Sequence, residues 1–209
     1  MAGDAIVHVI DDDEAVRQSI EFLLRTAGVV ARTYESASAF LSALPMIDSG
    51  CIITDVRMPG ISGIDLLRRL GEMQFKIPVI VITGHGDVPL AVEAMKIGAV
   101  DFFEKPYDDE LLLGSVRSAL NRSQENAARD AERAKVEAHL STLTNREREV
   151  LQGLVAGKPN KIIAFDLAIS PRTVEIYRAN VMTKMGASSL SELVRMALVI
   201  GAMNSSAGG

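Results

Sequence analysis

Four clusters of polar residues stand where apolar runs stop, and their types suit phosphoryl chemistry. Asp11-Asp12-Asp13 follows the run Ile6–Ile10, and Asp55 follows Cys51–Thr54 and leads into Val56-Arg57-Met58-Pro59-Gly60. Thr83-Gly84 ends Ile77–Thr83, and Lys105-Pro106 follows Asp101–Phe103. Three carboxylates in a small space repel one another and need a counter-charge, which a divalent cation supplies. Mg2+ suits this role, because it takes one or two carboxylates together with phosphate oxygens and water. With the cation bound, Asp55 can act as a nucleophile toward a phosphoryl group. Lys105 offers a mobile positive charge to the phosphoryl oxygens, and Thr83 a hydroxyl donor. Each cluster alone has a plain reading: a solvated turn with an N-cap, a turn before Pro-Gly, a strand end, a surface loop. Their joint appearance at successive strand ends favours a common site.

A second candidate lies near the C-terminus. Two short helical stretches meet at a tight turn, and Ser170-Pro171 opens the second as N-cap and first helical residue. On that helix Val174, Tyr177, Val181 and Met185 fall at core spacing. Arg172, Thr173, Glu175, Ile176, Arg178 and Ala179 are left facing out. Such a face can enter the major groove of DNA and reach base edges. Lys161, Arg178 and Lys184 are placed to touch phosphates or bases. The plain alternative is a small helical interaction domain with solvated charges.

The elements that must position these residues follow two regimes. Through residue 120, β-branched runs of strand length (Ile6–Ile10, Val29–Thr33, Cys51–Thr54, Ile77–Thr83, Asp101–Phe103) alternate with stretches of helical period. The latter are Ala15–Ala27, Ser36–Leu44, Ile61–Gln74, Leu90–Ile97 and Asp108–Arg122. Strand and helix repeated five times predict an α/β domain, a parallel sheet covered on both faces. Right-handed crossovers then align the carboxyl ends of the strands along one edge, where ligands bind in such sheets. Residues 121–140 are rich in Ala, Glu, Arg and Lys without Gly or Pro, and predict a helical linker, with a solvated flexible segment as the alternative. Beyond it everything reads as helix: a Thr144/Glu147 capping box starts one that ends before Gly157. Lys158–Leu167, with Pro159 in its first turn, a helix opened by Ser170-Pro171 and ended by Gly186, and Ser189–Ile200 complete a four-helix unit. The expected boundaries are 5–121, 122–140 and 141–203, with a disordered tail at 204–209.

Charge follows the same division. The chain of 209 residues has a net charge of −5, but residues 1–120 carry 10 Lys+Arg against 18 Asp+Glu, whereas residues 141–209 carry 8 against 5. The basic excess permits nucleic-acid contact without requiring it. No apolar run approaches the roughly 18 residues of a membrane span, and the N-terminus does not read as a signal peptide. The single cysteine, Cys51, excludes an intrachain disulfide and reads as a buried apolar residue. These features predict a reducing, cytoplasmic setting.

Ile10-Asp11-Asp12, Asp55 with Met58-Pro59-Gly60, Thr83-Gly84-His85 and Lys105-Pro106 resemble the receiver domain of bacterial two-component response regulators, from about Ile6 to Leu120. The resemblance implies a flavodoxin-like doubly wound fold with Asp55 as phosphoacceptor. It also implies Mg2+ on Asp12, Asp55 and the backbone carbonyl of Arg57, with Asp11 acting through water, and a switch formed by Thr83 and Phe102 beside Lys105. Leu143-Thr144-Asn145-Arg146-Glu147-Arg148-Glu149-Val150-Leu151, Asn160-Lys161-Ile162-Ile163-Ala164, Thr173-Val174 and Lys184-Met185-Gly186 resemble the LuxR-type helix-turn-helix output domain of the NarL/FixJ class, over about Thr142–Ala202. Together these imply a phosphorylation-activated transcriptional activator with a sensor histidine kinase as partner, of the oxygen-sensing haem type if its genes are those of nitrogen fixation. They further imply a homodimer when phosphorylated, double-stranded promoter DNA and RNA polymerase as partners, no membrane, and no enzymatic turnover beyond slow self-phosphorylation and dephosphorylation. Two alternatives stay open. One is an aspartyl-phosphate phosphatase or phosphotransferase, although Arg57 stands where such enzymes carry a second acid. The other is a protein-binding adaptor without a DNA target.

Overall fold

A computed structural model of the chain describes residues 6–84 and 88–204. The chain divides into two compact units, Met1–Ala128 and Arg129–Gly209. Among the described residues, no helix is long and apolar enough to cross a membrane.

In the first unit, strands β1 (Ile6–Ile10), β2 (Val30–Tyr34), β3 (Cys51–Asp55), β4 (Val79–Thr83) and β5 (Asp101–Glu104) form one parallel sheet in the order β2-β1-β3-β4-β5. β3 and β4 are buried throughout, as strands covered on both faces must be. Helices α1 (Glu14–Thr26) and the start of α5 (Asp109–Ser141) cover one face: Ile20, Leu24, Leu112 and Val116 pack on Val7, Val9, Ile53, Ile80 and Ile82. Helices α2 (Ala37–Ala43), α3 (Gly63–Glu72) and α4 (Val88–Ile97) cover the other, where Phe40, Leu66, Leu70 and Ala94 meet Ile10, Ile52, Val79 and Val81. Cys51 is buried and its thiol is free.

Several boundaries depart from the pattern-based expectation, each for a local reason. β2 begins at Val30 rather than Val29, because the Val29 N–H donates to the Leu24 carbonyl and closes α1. β4 begins at Val79 rather than Ile77; Pro78 has no N–H for a ladder, and its carbonyl accepts from Ile52. α3 begins at Gly63 rather than Ile61, with the Ser62 hydroxyl capping it through the Asp65 N–H. α2 stops at Ala43 and continues as a 3-10 turn, Leu44–Met46, around Pro45. The expected receiver helix and helical linker form one element, α5.

The second unit contains the end of α5, α6 (Asn145–Val155), α7 (Asn160–Asp166), α8 (Pro171–Met185) and α9 (Leu190–Asn204) around a core of Val136, Val150, Leu154, Ile163, Val174, Val181, Met185 and Leu193. The capping box is formed in full: Thr144 and Glu147 satisfy each other's backbone N–H groups. Ser170 caps α8, and Gly186 ends it in the left-handed region at φ 68°. Pro159 stands at the N-cap of α7, not within its first turn as expected, and α7 is correspondingly shorter. α9 runs to Asn204, which was expected to open the tail; residues 205–209 lie outside the described residues.

Between α7 and α8, Ala168 adopts φ 53°. A side chain in the left-handed region costs roughly 1–2 kcal/mol, part of which glycine's greater unfolded-state freedom cancels. Ala168→Gly is therefore expected to stabilise the second unit by about 1 kcal/mol in chemical denaturation; an unchanged midpoint would show that this turn carries no strain.

Candidate functional site

The parallel sheet brings the carboxyl ends of β1, β3, β4 and β5 to one edge, and with them Asp11, Asp55, Thr83 and Lys105. Asp11 and Asp55 are buried, at 3% and 7% exposure, and Thr83 is fully buried. The Lys105 ammonium lies between the two carboxylates, donating to Asp11 Oδ2 at 2.8 Å and to Asp55 Oδ1 at 2.7 Å. The second oxygen of each carboxylate also has a donor. Asp55 Oδ2 accepts from the Arg57 N–H at 2.5 Å, and Asp11 Oδ1 from the Asp13 N–H at 2.9 Å. Lys105 is held at its backbone as well, its N–H donating to the Thr83 carbonyl at 2.8 Å, and the Lys105–Pro106 bond is cis.

The electrostatics follow from this packing. Burial raises the Asp11 pKa above the usual carboxylate value, and Lys105 offsets this only in part. Folding therefore disfavours the charged form of this carboxylate. Burial also opposes the Lys105 ammonium, but its hydrogen bonds to Asp11 and Asp55 outweigh that and raise its pKa.

Of the three carboxylates expected together, Asp11 and Asp55 meet at the Lys105 ammonium, and Asp12 stands next in the chain with its side chain in solvent. Asp12 is exposed, and among the described residues no group of three or more His, Cys, Asp or Glu side chains is gathered to hold a metal. The reason is the turn: Asp11 points to Lys105, while Asp13 turns away to cap α1 through the Ala15 and Val16 N–H groups. The donor set nevertheless fits Mg2+. Two carboxylates against one ammonium leave a net charge of −1, the neighbouring Asp12 adds another, and all donors are oxygen. Mg2+ needs no closed protein cage.

The remaining expected residues fall around this centre. Arg57 is exposed, two residues after Asp55. Phe102 is half-buried against the core beneath α2, α3 and α4. His85 lies outside the described residues. Two positioning features were not legible in the sequence. A Cβ at Gly63 would lie 2.1 Å from the Asp55 carbonyl oxygen, so only glycine allows α3 to start this close to β3. On α1, Arg17 reaches back to the carbonyls of Asp11 and Asp12. Both depend on contacts between elements, for which a residue pattern has no signal.

In the second unit, Arg172, Glu175, Ile176 and Ala179 are exposed on α8, Thr173 and Arg178 are half-buried, and Lys161 is exposed on α7. Among the described residues Glu175 forms no ion pair with Arg172 or Arg178, so its carboxylate is not consumed on its own helix. Lys184 requires a correction. It was expected to contact DNA, but its ammonium pairs with Glu147 Oε2 at 2.7 Å, and its carbonyl oxygen lies 2.9 Å from His139 Nδ1. Glu147 is buried at 3% exposure and needs this cation beyond its two capping bonds.

The hydrogen bond from Lys184 is the main reason the Glu147 pKa lies below the usual value. Its contribution to stability is thus present above the ordinary glutamate pKa and lost as pH falls through the lower folded value. Lys184→Ala is expected to cost about 1–3 kcal/mol of second-unit stability and to flatten this acid limb in thermal melts across pH. A variant as stable as the parent with an unchanged pH profile would exclude the role.

Comparison with known proteins separates the same two regions. Residues 7–117 match the family described as response regulator receiver domain, and residues 141–197 match bacterial regulatory proteins of the luxR family. The transcriptional regulatory protein FixJ of Azorhizobium caulinodans is 58% identical over 195 residues, 93% of this chain and 92% of that protein. FixJ of Bradyrhizobium diazoefficiens is 52% identical, covering 95% and 97%. Among solved structures, that of the response regulator StyR superposes with a TM-score of 0.85 at 39% identity, over 93% of this chain and 98% of that one. Full-length FixJ from B. japonicum gives 0.58 at 52% identity, over 95% and 98%.

Proposed function

Because the chain belongs to the bacterial response regulators, joining a receiver domain to a luxR-family domain, we propose that it is a transcriptional activator switched by a phosphoryl group on Asp55. The observation that carries this reading is the buried Asp55 carboxylate at the end of β3, with Lys105 on one oxygen and the Arg57 N–H on the other. In the reaction an Asp55 oxygen attacks phosphorus. An O–P bond forms as the bond from phosphorus to the donor's leaving atom breaks, and the donor leaves with that electron pair. The donor is the phosphohistidine of a sensor kinase or a small acyl phosphate. Mg2+, held by Asp12, Asp55 and the Arg57 carbonyl with Asp11 through water, would neutralise charge gathering on the phosphoryl oxygens. Lys105 exchanges one of its carboxylate partners for a phosphoryl oxygen, and Thr83 offers its hydroxyl to another.

The added charge draws on Thr83 and repacks the half-buried Phe102, altering the surface near α4 and β5. Two chains then dimerise there and present paired α8 helices to half-sites about one helical turn apart on promoter DNA. Lys161, Arg172, Thr173, Glu175, Ile176 and Arg178 form the DNA face. We assign residues 5–121 to the receiver, 122–140 to the linker and 141–203 to the output domain. The relatives are transcriptional regulatory proteins named FixJ, which supports the regulatory reading; the resemblance to that class further implies nitrogen-fixation genes as targets, an oxygen-sensing haem kinase as phosphodonor, RNA polymerase as downstream partner and a cytoplasmic setting. Arg57 leaves no acid two residues after Asp55 to speed hydrolysis, which favours a lasting signal over enzymatic turnover.

Mass spectrometry after incubation with acetyl phosphate and Mg2+, paired with a measurement of oligomeric state and operator binding, tests the reading. One phosphoryl group per chain, with dimer formation and tighter operator binding, is expected. A labelled chain that remains monomeric and binds DNA no better would overturn the switch.

A further inference from the structure

The loop between β1 and α1 is short, and its backbone is held in an unusual way. The Asp11 N–H remains on the sheet side, donating to the Tyr34 carbonyl at 3.3 Å. The backbone of α1 closes no earlier than the bond from the Arg17 N–H to the Asp13 carbonyl at 3.1 Å, so the carbonyls of Asp11 and Asp12 precede the helix ladder. One guanidinium nitrogen takes both: Arg17 Nη1 donates to the Asp11 carbonyl at 2.7 Å and to the Asp12 carbonyl at 3.0 Å. Arg17 is half-buried on the first turns of α1, in place to hold both.

This matters for Asp12 more than for Asp11. The Asp11 side chain has its own partners, the Asp13 N–H and Lys105. The Asp12 side chain is exposed and has no hydrogen-bond partner among the described residues, so its backbone is what limits where its carboxylate can reach. That backbone is held by Arg17 on its carbonyls and by the Asp13 N–H bond to Asp11 Oδ1 that closes the turn across it.

We propose that Arg17 is a positioning residue for the cation: by holding the Asp11 and Asp12 carbonyls it fixes the loop backbone from which the Asp12 carboxylate reaches Mg2+. The inference rests on the reading of the Asp11, Asp12 and Asp55 site given above. It makes a prediction opposite in sign to simple electrostatics. A guanidinium beside the site repels a divalent cation, so removing its charge alone would strengthen Mg2+ binding. Removing a positioning group instead frees the loop and weakens binding. Loss of an outer partner of a metal ligand typically lowers affinity 10–100-fold.

The test is Mg2+ titration of the full chain and its Arg17→Gln variant by calorimetry or NMR, with the melting temperature of both measured without Mg2+. The expected result is a dissociation constant raised about 10-fold or more. Acetyl phosphate labelling should be slow at low Mg2+ and regain the parent rate at saturating Mg2+, a recovery that a merely damaged fold would not show. Affinity equal to or tighter than the parent's overturns the role, and so does a lower melting temperature with unchanged affinity. If the parent chain itself binds no Mg2+, the reading of the acidic site fails and this inference fails with it. If the parent binds and Arg17→Gln binds as well, Arg17 alone is reassigned.

Discussion

Asp55→Asn is expected to abolish phosphoryl incorporation from acetyl phosphate, a complete loss rather than a slowing. Asparagine keeps the shape of the side chain and an oxygen acceptor, so the fold should persist while the nucleophile is gone. Circular dichroism will show whether the variant is folded, and mass spectrometry whether it labels; full labelling would remove Asp55 from the reaction. Two neighbours sharpen the test. Asp12→Ala should label slowly, with most of the Mg2+ dependence lost. Lys105→Ala should still label but dimerise poorly, because the group that would exchange a carboxylate for the phosphoryl oxygen is missing. Lys105 also gives the parent a pH signature. Its folded pKa is raised, so its stabilisation is complete below the ordinary lysine value of about 10.4 and is lost as pH rises through the higher folded value. Lys105→Ala should lack that alkaline loss. A variant that dimerises like the parent after labelling would remove Lys105 from signalling.

The second large effect concerns DNA. Glu175 is exposed on α8 and makes no ion pair with the arginines three residues to either side. A carboxylate repels phosphates, so its place on a DNA-facing helix makes sense if it accepts a hydrogen bond from a cytosine amino group. Glu175→Ala and Arg178→Ala are expected to change the preferred base, each by about 1–3 kcal/mol for a bidentate contact. Lys161→Ala should weaken all sequences alike and lower the salt slope by roughly one. Lys184→Ala should instead act through stability, since its ammonium pairs with Glu147. Binding of each variant to single-base operator changes at several salt concentrations separates these outcomes. An unchanged base preference in Glu175→Ala would end its readout role.

Much of this was legible in the residues. The five apolar runs and the helical stretches between them state a local period, and burial on both faces of a parallel sheet enforces it. That is why the polar groups at strand ends, Asp11, Asp55, Thr83 and Lys105, belong to one edge on the sequence alone. The Thr144/Glu147 box and the Ser170-Pro171 start were equally readable, because capping is settled within four residues. Errors of one or two residues at Val29, Ile77 and Ile61 arose where a neighbouring helix end, a proline or a capping serine claimed the backbone groups.

The amino-acid sequence by itself determined which residues could meet: a parallel strand has one carboxyl end, and crossover handedness leaves few choices. It did not determine which of them bond. The order β2-β1-β3-β4-β5, and contacts across 94 residues for Lys105 and Asp11, 50 for Lys105 and Asp55 and 37 for Lys184 and Glu147, belong to the tertiary structure. So do the exposure of Asp12, the grip of Arg17 on the loop before it and the approach of Gly63 to the Asp55 carbonyl. The physical reason is that period and capping are local, set within a few residues, whereas a charged group takes whichever opposite charge the packed elements place within its reach. Lys184 has the same residue type and spacing as a phosphate-binding lysine; only packing α6 against α8 turned it inward to Glu147.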